Sequence, residues 1–457
     1  MKSKAIGFAV LLAGACVTSA FADVVISTDA TQNMSCSGGV CVPTASDAVL
    51  NVTDLENLLA SGNVSVATTN GSIQADNIDI VAAFSWSAAN SLTLDAYQSV
   101  TFSAVVQNLS SSGVSLTTND GGRGGALTFA IGSGRLDTNA VSIDGESYTM
   151  AKSVKQLAAE VVAEPGGHFG LSKDTDAGKE GLYYESPIPV PFDGAFNGLG
   201  HSISKLEIAD LSGSSVGLFA TVKKNASIAS VSMRNVVVRG PTSIWWTGLL
   251  VGENDGAVSN VFASGSVRGG YAGGLVGLNN SSGSIAASQS TVTVDAADDA
   301  GGLVGENEGT VSSSLASGKV SGHDEAGGLI AGAGGIIQNC YATGVVTGKR
   351  RSLVGGLFGG SSSVASSYAI GAVRGGKKAL VGGFDGIDEG TITNGYWDTD
   401  TSGTNQGSGD GNETGLTGLT TAQFQSGLPA GFDSSIWAEN ASINNGFPYL
   451  IANPPAQ

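Results

Sequence analysis

The chain has 457 residues, 69 of them Gly, with 41% hydrophobic and only 13% charged residues. That apolar content excludes charge-rich disorder, and a Gly content without a three-residue period, beside only 10 Pro, excludes collagen. A formal net charge of −18 repels nucleic acid and anionic lipid but tolerates cations, Ca²⁺ included.

The first 22 residues read as a secretory signal: Lys2 and Lys4, an apolar stretch from Ala5 to Ala15, then Ala20-Phe21-Ala22 as an A-x-A cleavage site. Past it, no apolar run reaches the roughly 18 residues that a membrane-spanning helix needs. The expected location is therefore secreted or at the cell surface, with the periplasm as the alternative. Export leads to an oxidising space, where Cys36 and Cys41, flanking two glycines in CSGGVC, are expected to form a local disulfide. Cys340, in IIQNCYATG, reads as a small buried core residue.

Residues 23–145 carry apolar-x-apolar pairs: Val64/Val66, Ile78/Ile80, Leu92/Leu94, Val100/Phe102, Val114/Leu116, Leu127/Phe129 and Val141/Ile143. Gly, Asn and Ser between them predict short strands in a solenoid or a sandwich-like array. Three capping boxes predict short helices. They are Thr53-x-x-Glu56, closed by Gly62; Ser153-x-x-Gln156, opening a helix over 153–163; and Thr420-x-x-Gln423.

The second half repeats a Gly-apolar-apolar-Gly cassette: VGLFA, TGLLVG, GGLVG twice, GGLIAG, GGLFG and GGFDG. Aligned on Gly217, Gly248, Gly274, Gly302, Gly328, Gly356 and Gly383, its spacings are 31, 26, 28, 26, 28 and 27. Each unit holds four-to-six-residue segments rich in Val, Ile, Ser and Thr, broken by Gly. These are short strands, and the Gly density forbids a helical solenoid. The predicted fold class is all-β. Its core is a right-handed parallel β-helix of about seven coils of 26–31 residues. A further β-rich region precedes it, and end caps with short helices close it. Seven coils at about 4.8 Å each would rise roughly 34 Å. Asn254, Asn279 and Asn307, two residues after a cassette's last Gly, are expected to form a polar ladder. The expected order is signal 1–22, β-rich region 23–145, joint or cap 146–205, solenoid 206–400 and C-terminal cap 401–457, the last carrying Trp437, Phe447 and Tyr449.

The cassette GGLVG-x-N-x-G-x-V at this spacing resembles the GLUG motif of bacterial surface proteins. That group includes filamentous-haemagglutinin-like adhesins and some IgA-specific metallopeptidases. FDGAFNGLGHSISKLEI (192–208) is similar to the segment that leads into such arrays, and YWDTDTSG, GLTTAQF and FPYL to their C-terminal end. Residues 23–145 look like the early part of haemagglutinin-type exoproteins, without an NPN-type secretion signature. The resemblance implies an adhesin-like surface role and makes His201, in GLGH, part of a structural turn.

No catalytic constellation appears. His168, His201 and His323 precede FGLS, SISK and DEAG rather than completing HExxH, and no G-x-S-x-G elbow exists. An enzyme is not expected, and neither is a cofactor other than Ca²⁺. Oxygen-bearing Asp398, Asp400, Ser402 and Asn405 resemble the start of a calcium loop, although Gly409 stands where its final Glu belongs. The loop before each cassette is expected to stack on one face. It would gather Asp295, Asp298, Asp299, Asp324 and Glu325 into an acidic patch, beside a basic patch of Lys349, Arg350, Arg351, Lys377 and Lys378. Such a face would contact a glycan, a matrix protein or another cell-surface partner. The alternatives are a polysaccharide-active β-helix enzyme and a structural surface-layer or biofilm-matrix component.

Overall fold

The structure, a computed structural model, describes residues 23–456 apart from 123, 244, 361, 362, 388 and 389. The expected signal over 1–22 lies outside the described residues.

The apolar-x-apolar pairs resolve into a parallel solenoid rather than a sandwich. One face stacks Ile78–Ile80, Val100–Phe102 and Leu127–Phe129 in register, with Val24–Ser27 and Ala48–Asn51 beyond Ile78. A second stacks Phe84–Trp86, Val105–Asn108 and Arg135–Asp137. A third runs from Val40–Pro43 through Val64–Ala67, Leu92–Asp95 and Val114–Thr117 to Val141–Ile143. Residues i and i+2 of a strand share a face, so Ile78, Ile80, Leu92, Leu94, Val100 and Phe102 are all fully buried.

Helix α1 (Val52–Ser61) takes the second-face position in its coil and packs on Phe84–Trp86. Its cap is Asn51, whose side chain accepts from the Thr53 and Asp54 amides, and not Thr53 as the capping-box pattern predicts. Glu56 instead accepts from the Ser85 amide at 2.8 Å, across to the neighbouring strand. Gly62 ends the helix as expected.

Strand Glu146–Ala151 joins two stacks. Its first half pairs antiparallel with Val141–Ile143, and its second half pairs parallel with His168–Leu171. Helix α2 (Val154–Ala163) follows, capped by Ser153 as predicted, with Glu180 accepting from the Val154 and Lys155 amides.

From there the repeats form a second parallel solenoid with three faces. The cassettes supply a seven-stranded face, from Ser215–Val216 to Leu380–Gly382. The next face includes Val251–Asn254, Val276–Asn279 and Val304–Asn307. The long face carries several columns per coil. One column is Val258, Ile285, Val311, Ile337, Val364 and Ile392, in register and buried. At the corner beside it, Ser230, Asn260, Ala287, Ser313, Asn339, Ser366 and Asn394 all take a left-handed backbone, φ 46 to 56. One such residue per coil turns the chain without a loop.

The cassette alignment needs a one-residue correction. Gly248 pairs with Gly273, not Gly274, and the column continues through Gly301, Gly327, Gly355 and Gly382. Leu249 fills the place of the second Gly, so aligning on that Gly slips the register. The two glycines are needed for space. A Cβ on Gly301 would strike the Val304 carbonyl, and one on Gly302 would strike the Gly328 carbonyl and press on Ala316 Cβ at 3.0 Å. The second Gly therefore marks where the solenoid is thinnest, facing an inward column of Ala316, Ala342 and Ala369.

The C-terminal segment differs from the expected end cap. The end of the stack is closed by 399–419, with Leu416–Leu419 pairing on Gly395–Asp398 and Trp397 plugging the core beside Phe384 and Ile392. Residues 420–456, opened by helix α3 (Thr421–Phe424) with the complete Thr420/Gln423 capping box, run back along the outside of the long face. They cover an outward stripe of Leu315, Tyr341, Tyr368 and Tyr396, in register one coil apart. Trp437 and Phe447 are buried there, while Tyr449 belongs to a two-stranded pair with Ala438. An apolar stripe on a sheet face needs cover, and that need draws the tail sideways.

Candidate functional site

The loops before the cassettes stack as the sequence predicts. Their backbones are joined rung to rung. Asp298 N donates to Gly270 O, His323 and Asp324 N to Asp298 O, Lys349 N to Gly322 O, and Gly376 N to Lys349 O. Arg351 N donates to Lys377 O at 3.2 Å, and Arg351 and Lys378, equivalent residues on adjacent rungs, share a left-handed φ of 66 and 65. The charges therefore follow the order of the coils: acidic 295–300, acidic 322–326, basic 348–354, basic 375–381.

On the basic rungs Lys349, Arg350, Arg351, Lys377 and Lys378 are exposed, with Arg374 beside them. Among the described residues none of these six lies in an ion pair. The acidic rungs are more structured. Asp295 pairs with Arg268 at 2.8 Å, and Asp299 accepts from the Glu325 amide at 3.0 Å. The Glu325 side chain turns in against Gly332 and Gly360. Asp298 is partly exposed, and Asp324 is exposed beside His323. Burial, then the charges of Asp324, Glu306 and Asp298, push the Asp299 carboxyl up to about 6.

The other expected residues go elsewhere. Asp398 is fully buried: one carboxylate oxygen accepts from the Asp400 and Thr401 amides, the other from the Thr421 hydroxyl at 2.7 Å. Asp400 accepts from the Thr421 amide, the Ser402 hydroxyl donates to Thr404 O, and Asn405 is exposed. Both Asp398 oxygens and one Asp400 oxygen are taken up in anchoring α3 and its turn. Among the described residues no group of three or more His, Cys, Asp and Glu could hold a metal ion. Cys36 and Cys41 are disulfide-bonded across a hairpin turned by Gly38 and Gly39, both at positive φ. Cys340 is free and buried, and burial pushes its thiol up to about 12. It occupies the inward position that Ser288, Ser314 and Ser367 hold in neighbouring coils, donating to Gln338 O as those hydroxyls donate to their own strands.

Two features escape a repeat-based reading. One is the aromatic stripe beneath the tail, where Tyr341 and Tyr368 stack with centroids 4.9 Å apart. The other is a polar joint between the two solenoids, partly exposed around one buried histidine. His201, fully buried, contacts Leu136 O at 3.0 Å, while Arg135 bridges Asp137 and Asp174 at 2.7 and 2.9 Å. His201 first, then Ser202, hold the Asp174 carboxyl well below the usual range. A crevice of about 340 Å³ opens beside this joint, lined by Arg135, Asp174, Ser202, Ser232 and Arg234. An Arg and an Asp 39 residues apart carry no local signal of meeting.

No family model matches the chain. Over 140 residues it is 30% identical to halomucin of Haloquadratum walsbyi, a stretch that makes up 30% of this chain and 1% of halomucin. A solved structure from Bacteroides ovatus, provisionally assigned as an immunoglobulin A1 protease, is similar at a TM-score of 0.45 and 18% identity. That match covers 67% of this chain and 93% of the other, and is too distant to bear on function. No described helix is long and apolar enough to cross a membrane.

Proposed function

We propose that this is an exported, adhesin-like protein of the GLUG type, displayed at a cell surface or released from it, which contacts glycan, matrix or cell-surface partners through its stacked loop edge. The observation that carries the reading is the basic half of that edge. A chain with a net charge of −18 concentrates six exposed cations, none of them ion-paired among the described residues, on two adjacent rungs. Rungs held by a hydrogen-bonded solenoid present those charges at fixed spacing, which lowers the ordering cost of binding a repetitive anionic polymer. The cassettes' resemblance to GLUG repeats and the stretch shared with halomucin support a surface role.

The test replaces Lys349, Arg350, Arg351, Lys377 and Lys378 with Ser. Binding to whole cells and to carboxylated or sulfated glycans is then measured. The expected result is at least a tenfold loss of affinity for the anionic ligands with an unchanged melting temperature, since each exposed cation contributes several tenths of a kcal/mol. Undiminished binding by the folded variant would remove the reading. Surface labelling and fractionation of the producing cell test the location independently.

A further inference from the structure

The order of charge along the loop edge has a symmetry that a heterotypic partner does not require. Read along the stack, the rungs run acidic, acidic, basic, basic: Asp298 beside the Arg268-paired Asp295, then Asp324, then Lys349, Arg350 and Arg351, then Lys377 and Lys378. Rungs lie about 4.8 Å apart. Turned end for end, the same edge reads basic, basic, acidic, acidic. A copy placed face to face about a two-fold axis between 322–326 and 348–354 therefore sets every acidic rung against a basic one. A parallel alignment sets like on like. Isologous self-complementarity of this kind is what a closed dimer needs.

A second observation bears on whether the charges are free to act outward. Asp324 and the basic loop are on adjacent rungs, and Leu353 N donates to Asp324 O at 2.8 Å. Arg268 holds Asp295 at 2.8 Å at the acidic end, yet among the described residues none of Lys349, Arg350, Arg351, Lys377 and Lys378 lies in an ion pair. The bases of these two rungs stand clear of the acids of their own chain.

We propose that this edge pairs with the same edge of a second copy, antiparallel, making the protein a salt-sensitive homodimer and a homotypic contact between surfaces that display it. The proposal shares with the proposed function the reading of this edge as a contact surface, and it names the partner as the chain itself.

Sedimentation velocity of the purified chain tests it. A dimer is expected at about 20 mM salt, with affinity falling at least tenfold by about 300 mM, where the screening length is shorter than 10 Å. Two charge reversals separate the halves. Variant one carries Lys349→Glu, Arg350→Glu, Arg351→Glu, Lys377→Glu and Lys378→Glu. Variant two carries Asp295→Lys, Asp298→Lys and Asp324→Lys. Each alone should be monomeric, and their mixture should form a heterodimer. Melting curves matching the parent chain's show that each variant is folded. A parent chain that stays monomeric at low salt would falsify the pairing, as would a dimer that survives in either variant alone, or a mixture of folded variants that does not associate. A monomeric parent whose five-Ser variant still loses glycan binding overturns the pairing and leaves the heterotypic reading standing. A dimer whose five-Ser variant binds cells and glycans unchanged does the reverse.

Discussion

At the scale of single residues, buried polar groups hold the coils in register. Asn254 Nδ2 donates to Asn279 Oδ1 at 2.8 Å, and Asn279 Nδ2 to Asn307 Oδ1 at 2.7 Å, all three side chains fully buried. Asn279→Ala removes two inter-coil bonds, taking the Asn279 donor from the buried Asn307 Oδ1 and leaving Asn254 Nδ2 its weaker bond to Gly256 O, which should cost about 2–4 kcal/mol. A urea midpoint unchanged from the parent's would show that the ladder is dispensable. Asp299 makes the opposite contribution. Its folded-state carboxyl lies above its usual value, so the folded chain holds that proton more tightly than the unfolded chain. Stability attributable to it falls as pH rises from about 4 to about 6 and stays low above that. Asp299→Asn keeps an acceptor for the Glu325 amide. The variant should gain about 1–2 kcal/mol at pH 8, discounted for partial exposure, and nothing near pH 4. Chemical denaturation at both pH values checks this, and a pH-independent difference would sink it.

At the scale of elements, the cassette is a space-limited turn. Its glycines sit where neighbouring carbonyls leave no room for a Cβ, with ordinary φ at each of them. Gly302→Ala should therefore destabilise by about 3 kcal/mol or more, as overpacking in a tight core does. Ala316→Gly opens the facing column but leaves the Gly328 carbonyl in place, so the double variant should recover little. Calorimetric melting of both variants decides. Full recovery would mean that the Ala column, and not the carbonyl, sets the limit.

At the scale of the whole molecule, the tail fastens five coils from outside. Phe432 lies on Tyr396, Phe424 and Trp437 on Tyr368, Trp437 on Tyr341, and Leu450 in the same cluster as Leu315. Gln289 donates to Asn453 Oδ1 and Pro454 O, and the Ala456 amide returns to Gln289 Oε1. Trp437→Ala should cost about 3–5 kcal/mol and expose the tyrosine stripe. Increased binding of a hydrophobic dye is expected while the coils stay folded, with far-UV circular dichroism unchanged. Loss of the β signal would show that the tail is needed for the solenoid itself.

The periodic part of this protein was legible because a residue in a solenoid meets its equivalents one repeat above and below. Val258, Ile285 and Val311 declare their contacts through spacing alone, and so do the amide ladder and the charged edge. Register to the single residue was not legible at Gly273, because Leu249 mimics the shift of one position that only backbone pairing settles. The sideways tail, the Asn51 cap and the anchoring of α3 by Asp398 and Asp400 were equally hidden. So was the joint of His201, Arg135 and Asp174. Sequence by itself determined what repeats, because stacking copies of a short strand motif buries a continuous core wherever the period is kept. Tertiary structure alone decided what does not repeat, because those contacts join residues with no common period, chosen by which apolar stripe or buried charge was left uncovered once the coils had closed.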